Sequence, residues 1–487
     1  MGDVTLVGAG HVLLAGLLTY DVLLHKNRPV SAVLWLALVW TLPYAGALGY
    51  LTFGMDRVRR GAAERAASRE LVFRRARLHP EFERHALERH HFDLTDPHRH
   101  AGSHIFRGTD PAVERNHVLR GNRVELLVDG EEFYPALWRA VEEAEASIHV
   151  QTFIVGRDRV GHELVGALSR RAEDGLDVRL LYDRFGSTWA HYLGFFDEAR
   201  RRGVEVQSIS QANPLKGRFQ VNLRNHRKVA VVDGREAFVG GLNFQEKHDG
   251  RFSEGEPVRD YHLRIEGPAV ADLQFQFVED WVFASGDPPE RLLGEACFPE
   301  LEETGDALVQ VVPGGPEDEG RGLADAFFGA VTSARESLLV ATPYFVPDEP
   351  LLEAFRYAAM QGVDVRLVLP GRSNHRYAEF AARALYEELL EAGVRIFERE
   401  PPFMHAKAMV VDDVYAMMGS ANLDHRSLHL NFETNVEVGD PGFARRVRRQ
   451  VESEIGRSRE VELEEHRARP HHRRLAENFC YLFQPVL

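Results

Sequence analysis

The sequence predicts an α/β protein of two similar α/β/α sandwich halves packed about a pseudo-twofold axis and preceded by a pair of transmembrane helices. Three observations carry this expectation. A pattern His-x-Lys-x4-Asp occurs twice, as His226, Lys228, Asp233 and as His405, Lys407, Asp412, with ten further residues to Asn243 and Asn422 respectively. The segments around each copy repeat as strand-helix units in the same order. Two long apolar stretches open the chain.

Val4 to Leu24 is apolar apart from Thr5, His11, Thr19, Tyr20 and Asp21, and Val30 to Phe53 is apolar with Trp35, Trp40, Tyr44 and Tyr50 along it. Each is long enough to cross about 30 Å of hydrocarbon as a helix. A signal peptide is the rival for the first stretch, but no basic residue precedes it and a second span follows at once. Two helices lying in or on the bilayer are the other alternative, because Asp21, Pro43 and several glycines interrupt the spans. Lys26 and Arg28 between the spans are outnumbered by Arg57, Arg59, Arg60, Arg65 and Arg69 beyond the second, which puts the large domain on the cytoplasmic side.

Arg57 to Phe92 reads as a helix with Arg74, Arg75, Arg77, Arg84 and Arg89 interleaved with Leu71, Val72, Phe73, Leu78, Phe82 and Leu87. A basic amphipathic segment next to a span suits an anionic lipid surface. His79, His85, His90, His91, His98, His100 and His104 crowd the same region, but without cysteine partners or a repeated spacing they read as a solvated linker rather than a metal cluster or pH sensor. The chain thus divides into a transmembrane hairpin (1–56), a basic, His-rich juxtamembrane helix and linker (57–120), a first α/β half (121–305) and a second (306–487).

Within the halves, SIHVQTFIV followed by a helical stretch and GLDVRLLYD returns as SLLVATPYFV, a helix and GVDVRLVLP. Gly203-Val-Glu-Val and Gly393-Val-Arg-Ile repeat the next helix-to-strand step, and the His-Lys segments follow in both halves. Strands alternating with helices imply α/β sandwiches.

Composition narrows the function. The chain has 487 residues, 27% charged and 44% hydrophobic, which is globular and long enough for several domains. A formal net charge of −15 argues against a general nucleic-acid binder. Cys297 and Cys480 are too few for a disulfide framework or a zinc motif.

The runs RKVAVV and AKAMVV between His and Asp read as buried strands, on which residues two apart share a face. His226 would then lie beside Lys228, and His405 beside Lys407. A neutral imidazole is a nucleophile or general base, and an ammonium stabilises phosphate oxygens. The Gly-Gly-x-Asn and Gly-Ser-x-Asn turns bring an amide and unshielded backbone N–H groups toward the same anion. Two such half-sites make one phosphoryl-transfer centre with two histidines.

The paired motif resembles the twin signature of the phospholipase D superfamily. The wider chain is similar to bacterial cardiolipin synthases, through NRPVSAVLWLALVWTLPYAGALGYLTFG, GNRVELLVDGEEFYPAL, ATPYFVP, GSANLDHRS, NFE and RPHHRRLAENFCYLFQPVL. The likeness covers most of the chain, least well between about His79 and Asn116. It implies two phospholipase D-like domains and a covalent phosphohistidine on His226, with His405 as general acid and base. It also implies that Lys228, Lys407, Asn243 and Asn422 hold the phosphate oxygens. By position, Asp260 and Glu433 match the carboxylates that orient His226 and His405 respectively. Asp233 and Asp412 complete the motif, closing their strand ends and supporting the lysines. Gly241 stands where the second copy has Ser420, and FQEKHDGR after Asn243 departs from the family pattern. Tyr344, Phe345 and Arg426 are candidates for lining a lipid channel or for packing.

The expected reaction is phosphatidyl transfer from one phosphatidylglycerol to another with release of glycerol, giving cardiolipin without a metal or other cofactor. The expected partners are phosphatidylglycerol and anionic lipids of the inner (cytoplasmic) membrane, with no nucleic acid; oligomeric state is left open. The alternatives are a phospholipase D, a transferase using another donor such as phosphatidylethanolamine or another alcohol, a nucleic-acid phosphodiesterase, and a catalytically dead lipid-binding scaffold.

Overall fold

A computed structural model describes residues 2–26, 29–51, 57–77, 102–106, 117–209, 224–316 and 322–486. Arg28, the side chains of Arg57, Arg59 and Arg60, and residues 78–101 with all the linker histidines except His104 lie outside the described residues. Two compact units, Met1–Gly61 and Ala62–Leu487, make up the chain.

In the first unit Gly2–His25 is one helix, whose Gly8–His25 part is long and apolar enough to cross a membrane. The second apolar stretch differs from expectation. It forms the helix Pro29–Thr41, breaks at Leu42 to Tyr44, and resumes only as Ala45–Gly49. Pro43 cannot donate to the helix ladder, and Tyr44 adopts φ 58°, which no right-handed helix contains. Two of the polar positions that interrupt the first stretch, Thr19 and Asp21, find partners in the second. The Tyr50 hydroxyl donates to Asp21 at 2.6 Å, and the Trp40 indole N–H donates to Thr19 at 2.9 Å. Ala15, Leu18, Val22, Val39, Ala47 and Tyr50 form the core between them.

Among the described residues the larger unit has seventeen strands. In the first half these are β1 (Leu119–Val128), β2 (Ser147–Thr152), β3 (Asp177–Asp183), β4 (Glu205–Ile209), β5 (Val229–Val232), β6 (Glu236–Gly240) and β7 (Tyr261–Glu266). In the second half they are β8 (Ala307–Gly314), β9 (Ser337–Ala341), β10 (Phe345–Val346), β11 (Asp364–Pro370), β12 (Arg395–Arg399), β13 (Ala408–Val411), β14 (Tyr415–Gly419), β15 (Leu423–Asp424), β16 (Glu433–Gly439) and β17 (Ser458–Glu460). Instead of two separate sheets, all but β10 and β15 join one 15-stranded mixed sheet through an irregular antiparallel contact of β1 with β8. Outward from that contact the orders are β1-β7-β6-β5-β2-β3-β4 and β8-β16-β14-β13-β9-β11-β12-β17. The two match step for step until β17.

Period-two alternation sends each strand into two cores. Val229 and Val231 of β5, with Ala408 and Val410 of β13, enter a cluster shared by both halves and by the helices Ala269–Ser285 and Pro441–Ile455. Ala230 and Val232 face the opposite way, under the helices Asp129–Glu143 and Arg159–Glu173. Met409 and Val411 do the same under Gly322–Ser333 and Glu349–Met360. Helices therefore cover both faces of the sheet.

The helix Arg57–Arg77 packs on the first half through Val72 and Ala76, in a cluster with Leu181, Phe277 and Trp281. Arg74 and Arg75 are exposed. Arg65, counted above among the basic residues that set orientation, is buried and paired with buried Asp280. A carboxylate that is fully desolvated needs such a partner.

Candidate active site

The two motifs meet at one pocket, which His226, Asn243, His405 and Asn422 all line. The sequence placed both His-Lys pairs on strands, but neither pair lies within one. Both occupy the extended lead-in one step before β5 and β13, each opened by an isolated parallel bridge, Asn225 to Phe432 and Met404 to Arg259. The amide of His226 donates to the Phe432 carbonyl at 2.8 Å, and that of His405 to the Arg259 carbonyl at 2.7 Å. Each histidine backbone is thus pinned by the other half of the molecule.

The rings follow the same logic, and this corrects the expected carboxylate pairing. His226 Nδ1 lies 2.9 Å from Glu433 Oε2, and His405 Nδ1 lies 2.7 Å from Asp260 Oδ2. Glu433 and Asp260 each come directly after the residue whose carbonyl holds the opposite histidine's amide, so the bond crosses between halves. Both carboxylates are fully buried. A Nδ1–H bonded to a carboxylate leaves Nε2 as the ring's second polar atom.

The Gly241–Ser420 difference has a physical account. Ser420 Oγ donates to Glu433 Oε2 at 2.6 Å, and Asn431 supplies a second donor to Oε1 at 3.2 Å. At Gly241 a Cβ would come within 2.1 Å of Asp260 Oδ1. Aspartate is a methylene shorter than glutamate, so the backbone comes closer and leaves no room for a side chain.

Lys228 Nζ donates to the His226 carbonyl at 2.6 Å, and Lys407 Nζ to that of His405, both lysines being buried. Asn243 Oδ1 accepts from the Ile154 amide at 3.2 Å, and Asn422 Nδ2 donates to Ser427 Oγ at 3.3 Å.

Asp233 and Asp412 are not at the pocket, and they do not touch the lysines. Each caps the far end of its strand at positive φ, 52° and 49°. Asp233 accepts from the amides of Glu145, Ala146 and Ser147, and Asp412 from those of Arg335, Glu336 and Ser337. These bonds tie each motif strand to the start of β2 or β9. Lys228 and Asp233 are five residues apart, ~16 Å along an extended chain, too far for support.

Burial dominates the electrostatics. It pushes Lys228 down to about 7 and Lys407 to about 8, and it holds both motif imidazoles below the usual histidine range. Burial also raises Asp260, and it lifts Asp424 to about 6. Burial alone would raise Glu433 as well, but the charges and hydrogen bonds of His226, Lys228 and Ser420 carry it below its ordinary value. A site with more cations than can be comfortably charged when empty is arranged for an anion.

Tyr344 and Arg426 line the pocket, whereas Phe345 is core, pairing with Leu423 in the small β10–β15 sheet and packing on Phe355. Sequence reasoning missed Arg224, Lys247, His248, His375 and Tyr377. A signal was available for two pocket cations, because Lys247 and Arg426 stand at the same offset after Asn243 and Asn422. His375 and Tyr377 carry none, since they arrive from the start of the helix Arg376–Ala384. Among the described residues one group could hold a metal by composition, His149, Asp177 and Cys297, and none of the three lines the pocket.

The joined half-sites and the mixed sheet define a phospholipase D-like α/β protein. The family profile described as "Cardiolipin synthase, PLD-like domain" matches residues 137–278 and 328–455. Cardiolipin synthase A of Pseudomonas aeruginosa is 38% identical over 94% of this chain and 91% of its own length. Cardiolipin synthase of Geobacillus kaustophilus is 35% identical over 95% and 90%. The chain belongs to the cardiolipin synthase family, phosphatidyltransferases of the phospholipase D superfamily. Among solved structures, phosphatidylserine synthase of Haemophilus influenzae shares the fold, with a TM-score of 0.56 and 17% identity over 75% of this chain and 95% of that one.

Proposed function

We propose that the protein is a membrane-tethered cardiolipin synthase that joins two phosphatidylglycerol molecules and releases glycerol. The observation that supports this best is the pair of imidazoles in one pocket, each held through Nδ1 by a carboxylate from the opposite half. In the first step His226 Nε2 attacks the donor phosphorus, the P–N bond forms, the bond to glycerol oxygen breaks, and His405 gives that oxygen its proton. In the second step the terminal hydroxyl of another phosphatidylglycerol loses its proton to His405. Its oxygen bonds to phosphorus, and the P–N bond breaks. Lys228, Lys407, Asn243 and Asn422 hold the non-bridging oxygens, while Glu433 and Asp260 position the rings. Asp233 and Asp412 act only through the strands they anchor. An arriving phosphodiester raises the proton affinity of His405 and both lysines, which supplies the acid the first step needs.

In this reading 121–305 and 306–487 are phospholipase D-like halves related by a pseudo-twofold, a relation supported by their matching strand orders. Residues 1–56 place both apolar segments in the inner membrane, the second as a broken helix, with the catalytic part in the cytoplasm, and 57–120 link the two. Phosphatidylglycerol and anionic lipid are the partners, and nucleic acid is not. Incubating the purified protein with two phosphatidylglycerols of different acyl mass, with and without phosphatidylethanolamine, tests the reading by lipid mass spectrometry. Mixed-chain cardiolipin with stoichiometric glycerol is expected. Phosphatidic acid as sole product would make the protein a hydrolase, and cardiolipin formed only with phosphatidylethanolamine would change the donor.

A further inference from the structure

The acceptor in such a reaction brings a charge that the chemistry itself does not neutralise. Lys228, Lys407, Asn243 and Asn422 serve the phosphate that is attacked. The acceptor's own phosphodiester, three carbons from its attacking hydroxyl, must enter the same pocket beside the phosphohistidine and remain intact. Leaving that anion without a partner in a partly desolvated pocket is costly.

Among the described residues three cations line the pocket without a role in the steps above: Arg224, Lys247 and Arg426. Lys247 acts on the His405 side, where its charge bears on Asp260 and His405. Arg224 stands two residues before His226 in the extended lead-in, ~7 Å along the chain. Its guanidinium stacks on Phe185, 3.9 Å from the ring centroid, and its carbonyl accepts from the Phe432 amide at 2.9 Å, next to Glu433. The side chain is therefore fixed in orientation at the edge of the His226 half-site. The corresponding position before His405 is Phe403, so this cation has no twin. Arg426 approaches from the second half, on the short helix His425–His429. Both guanidiniums line the one pocket, and the charge of Arg426, after burial, lowers the proton affinity of Arg224. Two repelling cations from different halves that line one pocket are relieved by an anion held by both, and a guanidinium fork suits phosphate oxygens.

The geometry points to a second anion subsite, formed by Arg224 and Arg426, that holds the unreacting phosphodiester of the acceptor lipid. It rests on the reading given above and deepens it. The subsite makes the second step selective, because glycerol and water have no phosphate to place there while a second phosphatidylglycerol does. The released glycerol then competes poorly for the phosphohistidine.

Full-length protein in mixed micelles with a phosphatidylglycerol donor allows both acceptors to be scored in one reaction. Transfer to phosphatidylglycerol is read as cardiolipin, and transfer to labelled glycerol is read as label exchanged into phosphatidylglycerol. Arg224→Gln and Arg426→Gln are each expected to lower the cardiolipin-to-exchange ratio about tenfold, the scale of one lost charge-assisted hydrogen bond. Arg224→Lys should recover part of it as a point charge. Retained exchange in the same sample reports that the variant is folded. An unchanged ratio overturns the subsite, whether both rates fall together, as for residues serving the attacked phosphate, or neither falls. Wild-type protein that exchanges glycerol but forms no cardiolipin would instead refute the acceptor assigned in the proposed function.

Discussion

His226 and His405 each commit Nδ1 to a buried carboxylate, which leaves Nε2 as the second nitrogen of each ring, that of His405 lying 3.0 Å from Lys407 Nζ. What separates them in the proposed reaction is the order of steps, and that gives a test. His226→Ala should abolish both the covalent adduct and turnover. His405→Ala should also stop turnover of phosphatidylglycerol, yet keep much of the first step with a p-nitrophenolate-type leaving group, which departs without protonation. Adduct should then accumulate; finding it undiminished in His226→Ala would reverse the assignment. The lysines make a second prediction. Burial pushes Lys228 down to about 7 and Lys407 to about 8, so the free protein loses its phosphate clamp as pH rises through that window. His226, lowered by burial, stays neutral and nucleophilic down through the ordinary imidazole range. The profile of kcat/KM should therefore fall on the alkaline side between about 7 and about 8, with its acid limb below the usual histidine position. In the profile of kcat the alkaline limb should move upward, since a bound phosphodiester restores both ammonium charges. Alkaline limbs that coincide in the two profiles would mean that the lysines are already charged when the pocket is empty.

At the scale of elements, the helix Arg57–Arg77 reaches further into the molecule than its basic composition implies. Arg65 pairs with Asp280 on the helix Ala269–Ser285, and its guanidinium lies 3.5 Å from the ring centroid of Phe432. Asp280 also accepts from Arg227 at 2.8 Å and Asn225 at 3.3 Å, and Arg227 Nε donates to the Glu433 carbonyl at 3.0 Å. One buried carboxylate thus joins this helix to both flanks of His226. Arg65→Ala should destabilise the protein by about 3 kcal/mol, the cost of breaking a buried pair from one side. Arg65→Lys should lie between the variant and the wild type. The midpoint of chemical denaturation reads both, and a loss well under 1 kcal/mol in Arg65→Ala would show that Arg227 alone satisfies Asp280.

At the scale of the whole molecule, the N-terminal unit and the catalytic unit are separate compact bodies, and every described pocket residue belongs to the second. In the proposed reading the apolar unit serves placement on the membrane and not chemistry. Deleting residues 1–53 should reduce activity on vesicles severalfold while leaving turnover of short-chain, detergent-dispersed lipid largely intact. The deletion spares Arg65, which the catalytic unit needs for its own packing. A folded truncated protein inactive on dispersed lipid would give the N-terminal unit a part in the site.

The two His-Lys-Asn sets and the strand-helix repeat around them were legible in the sequence, because short-range periodicity and motif spacing are local properties of the chain, whereas Arg224, His248, His375 and Tyr377 were not. The duplicated spacing His226 to Asn243 and His405 to Asn422 was enough to define two half-sites. Which carboxylate serves which histidine was not legible. Asp260 follows His226 in the chain and Glu433 follows His405, yet each bonds to the other's partner, because the lead-ins cross between halves and bridge to Arg259 and Phe432. The same holds for the break at Pro43, whose effect depended on whether packing against the first helix would tolerate a kink. It holds also for Arg65, whose burial depended on an acid more than two hundred residues away. Sequence by itself determined the chemical groups and their local spacing; tertiary packing alone decided which of them face one another, since contacts between distant segments are set by how two cores close and not by any period along the chain.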